Sequence, residues 1–148
     1  IFAYQGRAFG KEPQKYITII LDKDCPKIFG LDRLDTSRSV HVVEGPFDSL
    51  FIENCIAVAQ SDLRVPQYKD KVVLIPDNEP RNKQVCKQIE QCIKDGYSVV
   101  LWPHSVKEKD INDMILSGYT SAEIQELIHN NTHKDLQAQT VFSSWKRI

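Results

Sequence analysis

Three acidic side chains follow apolar, strand-forming runs and could together bind a metal ion. The acids and the runs before them are Glu44 after 39–43, Asp77 after 72–76 and Asp110 after 97–102. The carboxyl ends of parallel strands meet at one edge of a sheet, where ligands bind, so we expect these carboxylates to lie close together. Carboxylate oxygens are the ligands that a hard divalent cation such as Mg²⁺ prefers.

Two further acids lie close to the first two in sequence. Asp48 follows Glu44 by four residues, with Gly45 allowing a sharp turn at the strand end, and Glu79 follows Asp77 by two. Two Mg²⁺ ions about 4 Å apart in such a cluster would activate an attacking hydroxyl and stabilise a leaving group. The pattern therefore indicates phosphoryl or nucleotidyl transfer.

Each acid also has a purely structural explanation. Asp48 would interact favourably with the dipole of a helix that begins at Pro46, and Asp77 or Asn78 could cap the helix that follows them. Asp110 is a good N-cap, with Asp113 as its capping-box partner. An unrelated α/β domain whose acids are helix caps is therefore one alternative.

The elements that must position these acids alternate between strands and helices. Strands are predicted at 39–44, 55–59, 71–76 and 97–102, and helices from Pro46, over 81–95, over 110–117 and from a Ser121 cap. Such alternation predicts an α/β fold with a four-stranded, mainly parallel sheet flanked by helices.

Three regions are predicted along the chain. Residues 1–38 form a small, β-rich subdomain with an excess of two positive charges, and residues 39–120 form the α/β domain with an excess of three negative charges. Residues 121–148 are predicted to be a C-terminal helix and a tail, with a polar linker over 131–139. A basic segment beside an acidic core suits a polyanion held next to a metal site.

Composition excludes several classes of protein. No apolar stretch approaches the roughly 18 residues of a membrane span. The four cysteines form no CxxC pair, which indicates free thiols in a reducing compartment, although a zinc site of Cys86, Cys92 and a histidine is conceivable from the spacing. Residues 1–7 include no initiator Met and no secretory signal pattern, so we expect the chain to be a piece of a longer protein.

The acidic segments resemble the Toprim domain of DNA primases, particularly those of tailed phages. Glu44-Gly45-Pro46-Phe47-Asp48 is similar to the Glu-Gly-x-x-Asp motif, and Lys109-Asp110-Ile111-Asn112-Asp113 is similar to the motif that opens a helix in primases. Asp77 and Glu79 take the place of the paired aspartates. The resemblance implies that Glu44, Asp48, Asp77, Glu79 and Asp110 bind Mg²⁺ or Mn²⁺, with two ions expected. It also implies that Glu44, Asp77 and Glu79 are catalytic, with Glu44 assisting deprotonation of the primer 3′ hydroxyl.

The N-terminal segment resembles the basic subdomain that precedes the Toprim core in primases. The matching segments are Gly6-Arg7, 15–18 and 27–31. The resemblance implies that Arg7, Lys15 and Lys27 contact template phosphates or the nucleotide. The implied partners are single-stranded DNA, ribonucleoside triphosphates and the RNA primer. A replicative helicase is expected as a further partner or as a fused domain, and no membrane is expected as a partner.

The resemblance predicts that the chain is the catalytic-core fragment of a DNA primase, which makes short RNA primers on single-stranded DNA with the help of metal ions. The expected location is the cytoplasm, which is the host cytoplasm if the chain is of phage origin. Two other functions fit the same fold. A Toprim nuclease or topoisomerase would cleave strands with the same metal site. A non-catalytic module would bind single-stranded DNA without turnover.

Overall fold

The computed structural model describes residues 1, 3–10, 13–14, 16–58 and 62–148. Eight strands lie in these residues: β1 (Ala3–Arg7), β2 (Tyr16–Ile20), β3 (Ile28–Phe29), β4 (Val40–Val43), β5 (Cys55–Val58), β6 (Val72–Leu74), β7 (Ser98–Val100) and β8 (Thr132–His133). The helices are α1 (Lys83–Lys94), α2 (Ile111–Leu116), α3 (Ser121–Asn130) and α4 (Asp135–Trp145). The predicted α/β class is confirmed.

The main sheet has six strands in the order β3-β5-β4-β6-β7-β8. Its four central strands, β5, β4, β6 and β7, are parallel and coincide with the four predicted strands. The predicted strand number is wrong, because β3 and β8 add one antiparallel strand at each edge. Each of these edge strands has only two residues, too few to produce a recognisable alternation of apolar residues.

The central strands are buried on both faces, which explains why they are almost continuously apolar. Successive side chains point to opposite faces, so Val42 faces one apolar cluster and Val43 the other. The first cluster contains side chains of α1 and α4, and the second contains side chains of α2 and α3. The sheet is therefore a middle layer between two pairs of helices.

The N-terminal strands β1 and β2 form a separate antiparallel pair, in which Ala3 faces Ile20 and Arg7 faces Tyr16. Part of the predicted N-terminal region, β3, nevertheless belongs to the main sheet. The division at residue 38 stays a prediction. No helix in the described part of the chain is long and apolar enough to span a membrane.

Two predicted elements are wrong. The helix expected from Pro46 is only a short 3-10 turn at Asp48–Leu50. The linker expected over 131–139 instead forms β8 and the first part of α4, whose side chains Ala138, Phe142 and Trp145 are buried.

Candidate active site

Glu44 and Asp48 are brought together by a tight turn at the end of β4. The backbone N–H of Ser49 donates to the carbonyl oxygen of Gly45 over 3.3 Å, and the Ser49 hydroxyl donates to the Pro46 carbonyl over 2.7 Å. A Cβ atom on Gly45 would clash with the Asp48 carboxylate. Only glycine therefore lets this carboxylate fold back beside the strand end.

The Asp48 carboxylate also caps a helix that is distant in sequence. Its Oδ1 accepts a hydrogen bond of 2.8 Å from the backbone N–H of Asn112, in the first turn of α2. Asp110 is the N-cap of the same helix and accepts from the Asp113 N–H over 2.7 Å. Because the first N–H groups of a helix lack internal partners, both carboxylates are held at this helix terminus. The capping predicted for Asp110 is confirmed, whereas Asp48 contacts a different helix from the one expected.

Asp77 follows β6, the strand that pairs directly with β4. The carbonyl oxygen before it, that of Pro76, accepts a 2.9 Å hydrogen bond from the indole N–H of buried Trp102. The Nζ atom of Lys109 lies 3.3 Å from Asp77 Oδ2 and 3.8 Å from Glu79 Oε2. The exit of β6 and the loop before α2 are thus in direct contact.

Asn78 joins these two segments. Its backbone N–H donates to the Lys109 carbonyl over 2.7 Å, and its side-chain amide donates to the carbonyls of Val106 (3.2 Å) and Glu108 (3.0 Å). Three hydrogen bonds from one residue fix the loop that leads to Asp110.

A cleft of about 430 Å³ opens over this edge of the sheet. Four of the five predicted metal ligands line it, namely Glu44, Asp48, Asp77 and Asp110. Glu79 is not among the residues that line the cleft and contacts it through Lys109. The acids separated by dozens of residues therefore meet at one place, as the strand pattern predicts.

Burial and mutual repulsion raise the pKa values of Glu44, Asp48 and Asp77. Burial, followed by the negative charge of Asp77, raises the pKa of Glu44 to about 7. Burial also raises the pKa of Asp48 to about 6, against the opposing hydrogen bond from Asn112. The pKa of Asp77 is raised by burial too, although the positive charge of Lys109 opposes the shift.

The carboxylate groups that line the cleft are suitable ligands for a hard cation. Glu44, Asp48, Asp77 and Asp110 offer carboxylate oxygens, and repulsion from neighbouring carboxylates adds to the effect of burial in raising the pKa values of Glu44 and Asp48. Among the described residues, no three or more Asp, Glu, His or Cys side chains form a preformed coordination shell. A cation would therefore have to draw the carboxylates together. Among the described residues, Cys86 and Cys92 likewise belong to no group of three or more possible metal ligands, so the zinc site considered above is not found. Both are free, buried cysteines of α1.

The two predicted cationic residues that the structure describes, Arg7 and Lys27, lie in different places. Arg7 lines the acidic cleft, and its guanidinium lies 5.4 Å from the ring centre of Phe47. Lys27 lines a neighbouring groove and not the cleft. Lys15 lies outside the described residues. Their roles, like those of the acids, stay predictions.

Sequence reasoning assigned no role to Asn78, Trp102 or the Lys109 side chain. Lys109 was noticed only as part of a motif, and Asn78 only as an alternative helix cap. Position alone gave the available signal: Asn78 lies between two acids at a strand end, and Lys109 directly precedes Asp110. The partners of these residues, which define what they do, are visible only in the folded chain.

Comparison with known proteins yields a relative among phage replication proteins. The chain is 42% identical over 151 aligned residues to the DNA primase of Enterobacteria phage T4. The match covers 99% of this chain and spans 44% of the length of the T4 protein. No protein-family model matches the chain. The chain is therefore related to a phage DNA primase along nearly its entire length.

Proposed function

We propose that this chain is the Toprim-type catalytic core of a DNA primase, which joins ribonucleotides into a short RNA primer on single-stranded DNA. The observation that carries the proposal is the gathering of Glu44, Asp48, Asp77 and Asp110 around one cleft, in a chain related to a phage primase. The four parallel central strands, with Glu44 after β4 and Asp77 after β6, support the Toprim assignment.

Glu44, Asp48, Asp77, Glu79 and Asp110 would hold Mg²⁺ or Mn²⁺. When bound, such ions supply positive charge that activates the attacking hydroxyl and neutralises the leaving pyrophosphate. Hydrogen bonds join the three segments that carry these acids, so the segments would stay in place while the carboxylates close around an ion.

Glu44 is the proposed proton acceptor. The 3′ oxygen of the primer attacks the α-phosphorus of the nucleotide, the bond to the bridging oxygen breaks, and pyrophosphate leaves. The hydroxyl proton passes to the Glu44 carboxylate. In the chain without a metal ion, the pKa of Glu44 is about 7, so this carboxyl group exchanges a proton near neutral pH.

A groove of about 550 Å³ beside the cleft is the proposed binding site for the single-stranded template. Aromatic and aliphatic side chains line it, including Tyr4, Phe29 and Phe47, and Lys27 is the charged residue in its lining. The Arg33 guanidinium lies 5.3 Å from the ring centre of Phe29. Exposed rings next to cationic side chains are the usual means of binding unpaired bases and their phosphates.

The groove and the acidic cleft share Gln5, Pro46 and Phe47. A strand bound in the groove would therefore lead directly to the metal-binding acids. The proposed substrates, template DNA and ribonucleoside triphosphates, are those of the host cytoplasm, where we expect the activity. That the parent protein works with a replicative helicase stays a prediction of the resemblance.

The direct test is primer synthesis with the Glu44→Gln variant. The full-length parent protein is given single-stranded DNA, the four ribonucleoside triphosphates and Mg²⁺, and labelled RNA is counted. We expect a loss of about 100-fold or more, because the variant removes both a metal ligand and the proton acceptor. The matched control is Glu126→Gln, an exposed residue of α3 distant in sequence from the acidic segments.

Full activity of Glu44→Gln would refute the catalytic assignment. Cleavage of the DNA without incorporation of ribonucleotides would replace the proposal with a nuclease or topoisomerase function. Binding of single-stranded DNA in EDTA, without turnover by the intact parent, would replace it with a non-catalytic module.

A further inference from the structure

The ammonium group of Lys109 neighbours two of the proposed metal ligands. It lies between Asp77 Oδ2, at 3.3 Å, and Glu79 Oε2, at 3.8 Å. These are long contacts compared with the 2.7 Å pairs that Arg64 makes with Asp62 and Asp95. Lys109 therefore neutralises the acids without binding them tightly.

The backbone of Lys109 is fixed while its side chain can move. The carbonyl oxygen accepts the hydrogen bond from the Asn78 N–H, which holds the backbone beside the exit of β6. The side chain, in contrast, is 52% exposed and borders the cleft. A lysine ammonium on a flexible four-carbon stem can change partners at little cost.

A divalent cation and the ammonium need the same oxygen atoms. Mg²⁺ binds oxygen at about 2.0–2.1 Å and tolerates little departure from octahedral geometry. An ammonium that is ion-paired with Asp77 and Glu79 would repel an ion at that place and block its approach. The two cations therefore exclude one another at this half of the site.

We propose that Lys109 is a resident counter-ion that competes with the divalent cation for Asp77 and Glu79. The inference rests on the proposed metal site. A divalent cation that binds there displaces the ammonium into the cleft, where it becomes available to the phosphates of a nucleoside triphosphate. Lys109 thus favours occupation of this half of the site when an anionic substrate is present to receive the displaced charge.

The test measures Mn²⁺ binding by the metal-free protein without nucleotide, from the electron paramagnetic resonance signal of the free ion. We expect Lys109→Met to lower the apparent dissociation constant by about 10-fold, because the competing charge is gone. Lys109→Arg keeps the charge and should remain within about 3-fold of the unmodified chain. Lys107→Met, whose ammonium contacts the His104 carbonyl and no acid of the site, is the matched control and should have little effect.

A second comparison separates local competition from a general effect of charge. In a Glu79→Gln background the gain from Lys109→Met should shrink substantially, because the competing contact is already weakened. Titrations are performed at about pH 8.5, so that the carboxyl groups are ionised in every variant.

Equal Mn²⁺ affinity in Lys109→Met and the unmodified chain would overturn this inference while leaving the metal site intact. An equal gain from Lys107→Met would also overturn it, since the effect would then reflect net charge. If neither the unmodified chain nor Lys109→Met binds Mn²⁺, the metal site itself fails, and with it the proposed function.

Discussion

At the scale of single residues, Glu44 has a proposed catalytic role, and its ionised carboxylate lowers the stability of the folded protein. Its pKa of about 7 lies above the value near 4.3 of an unfolded chain. The folded protein therefore holds this proton more tightly than the unfolded chain does. The resulting stabilisation is complete below about pH 4.3 and is lost as the pH rises through about 7.

This shift predicts that Glu44→Gln stabilises the chain when no divalent cation is present. In EDTA at about pH 8, we expect the free energy of unfolding to rise by about 1–3 kcal/mol, because a buried negative charge is removed from an acidic cluster. At about pH 4.5 the gain should fall below about 1 kcal/mol, since the side chain at position 44 is then neutral in both folded proteins. Urea unfolding followed by circular dichroism measures both values.

Mn²⁺ provides the control for this prediction. A cation bound to the carboxylates should stabilise the unmodified chain more than the variant. The difference in free energy of unfolding between the two proteins should therefore become smaller or change sign. A Glu44→Gln variant that is less stable than the unmodified chain at about pH 8 in EDTA would contradict the proposed repulsion among the acids.

At the scale of elements, the site depends on contacts between segments that are distant in sequence. The exit of β4 reaches α2 through Asp48, and the exit of β6 reaches the loop before α2 through Asn78. These hydrogen bonds explain why four of the predicted metal ligands, from three segments, line one cleft. They also make the loop at 103–109, which has no regular secondary structure, a defined part of the site.

Asn78→Ala should loosen this loop. The change removes two side-chain hydrogen bonds, to the carbonyls of Val106 and Glu108, so we expect hydrogen exchange of amides in 104–109 to accelerate by about 10-fold or more. Global stability should fall by only about 1–2 kcal/mol, and primer synthesis should fall by at least about 10-fold because Lys109 and Asp110 lose their support.

Asn130→Ala is the matched control, since Asn130 is exposed at the end of α3. It should leave the exchange of 104–109 unchanged. Unchanged exchange in Asn78→Ala would show that the loop is held by other contacts.

At the scale of the whole molecule, the strong periodic patterns allowed the central part of the fold to be predicted. The four parallel strands and α1 are long or strongly apolar, and the acids at strand ends mark the shared edge. The 3-10 turn after Pro46 could not be predicted, because the Asp48 carboxylate caps α2 and does not cap a helix of its own. Whether a local capping signal is used in this way depends on the tertiary structure.

The C-terminal error has a different physical cause. In α4 the buried side chains are Ala138, Phe142 and Trp145, so the apolar stripe begins only in the second turn. The three residues before Ala138 include no buried apolar side chain, so this part of the sequence resembles a linker. The N-cap of α4 also has no side-chain hydrogen bond that would mark the start of a helix. The docking of α4 on α1 and β7 supplies the stability that the local sequence does not.

If α4 belongs to the core, Trp145→Ala should destabilise the whole domain. Trp145 is 3% exposed and packs against Phe142 at a ring-centre distance of 6.1 Å. Truncating it removes a large apolar side chain and leaves a cavity, so we expect the free energy of unfolding to fall by about 3–5 kcal/mol. Leu136→Ala in the same helix is the control, because Leu136 is 74% exposed and should change stability by less than about 0.5 kcal/mol. Urea unfolding of the three proteins under one set of conditions decides the matter: a Trp145→Ala protein as stable as Leu136→Ala would mean that α4 is a dispensable tail, as the polar 131–139 segment originally suggested.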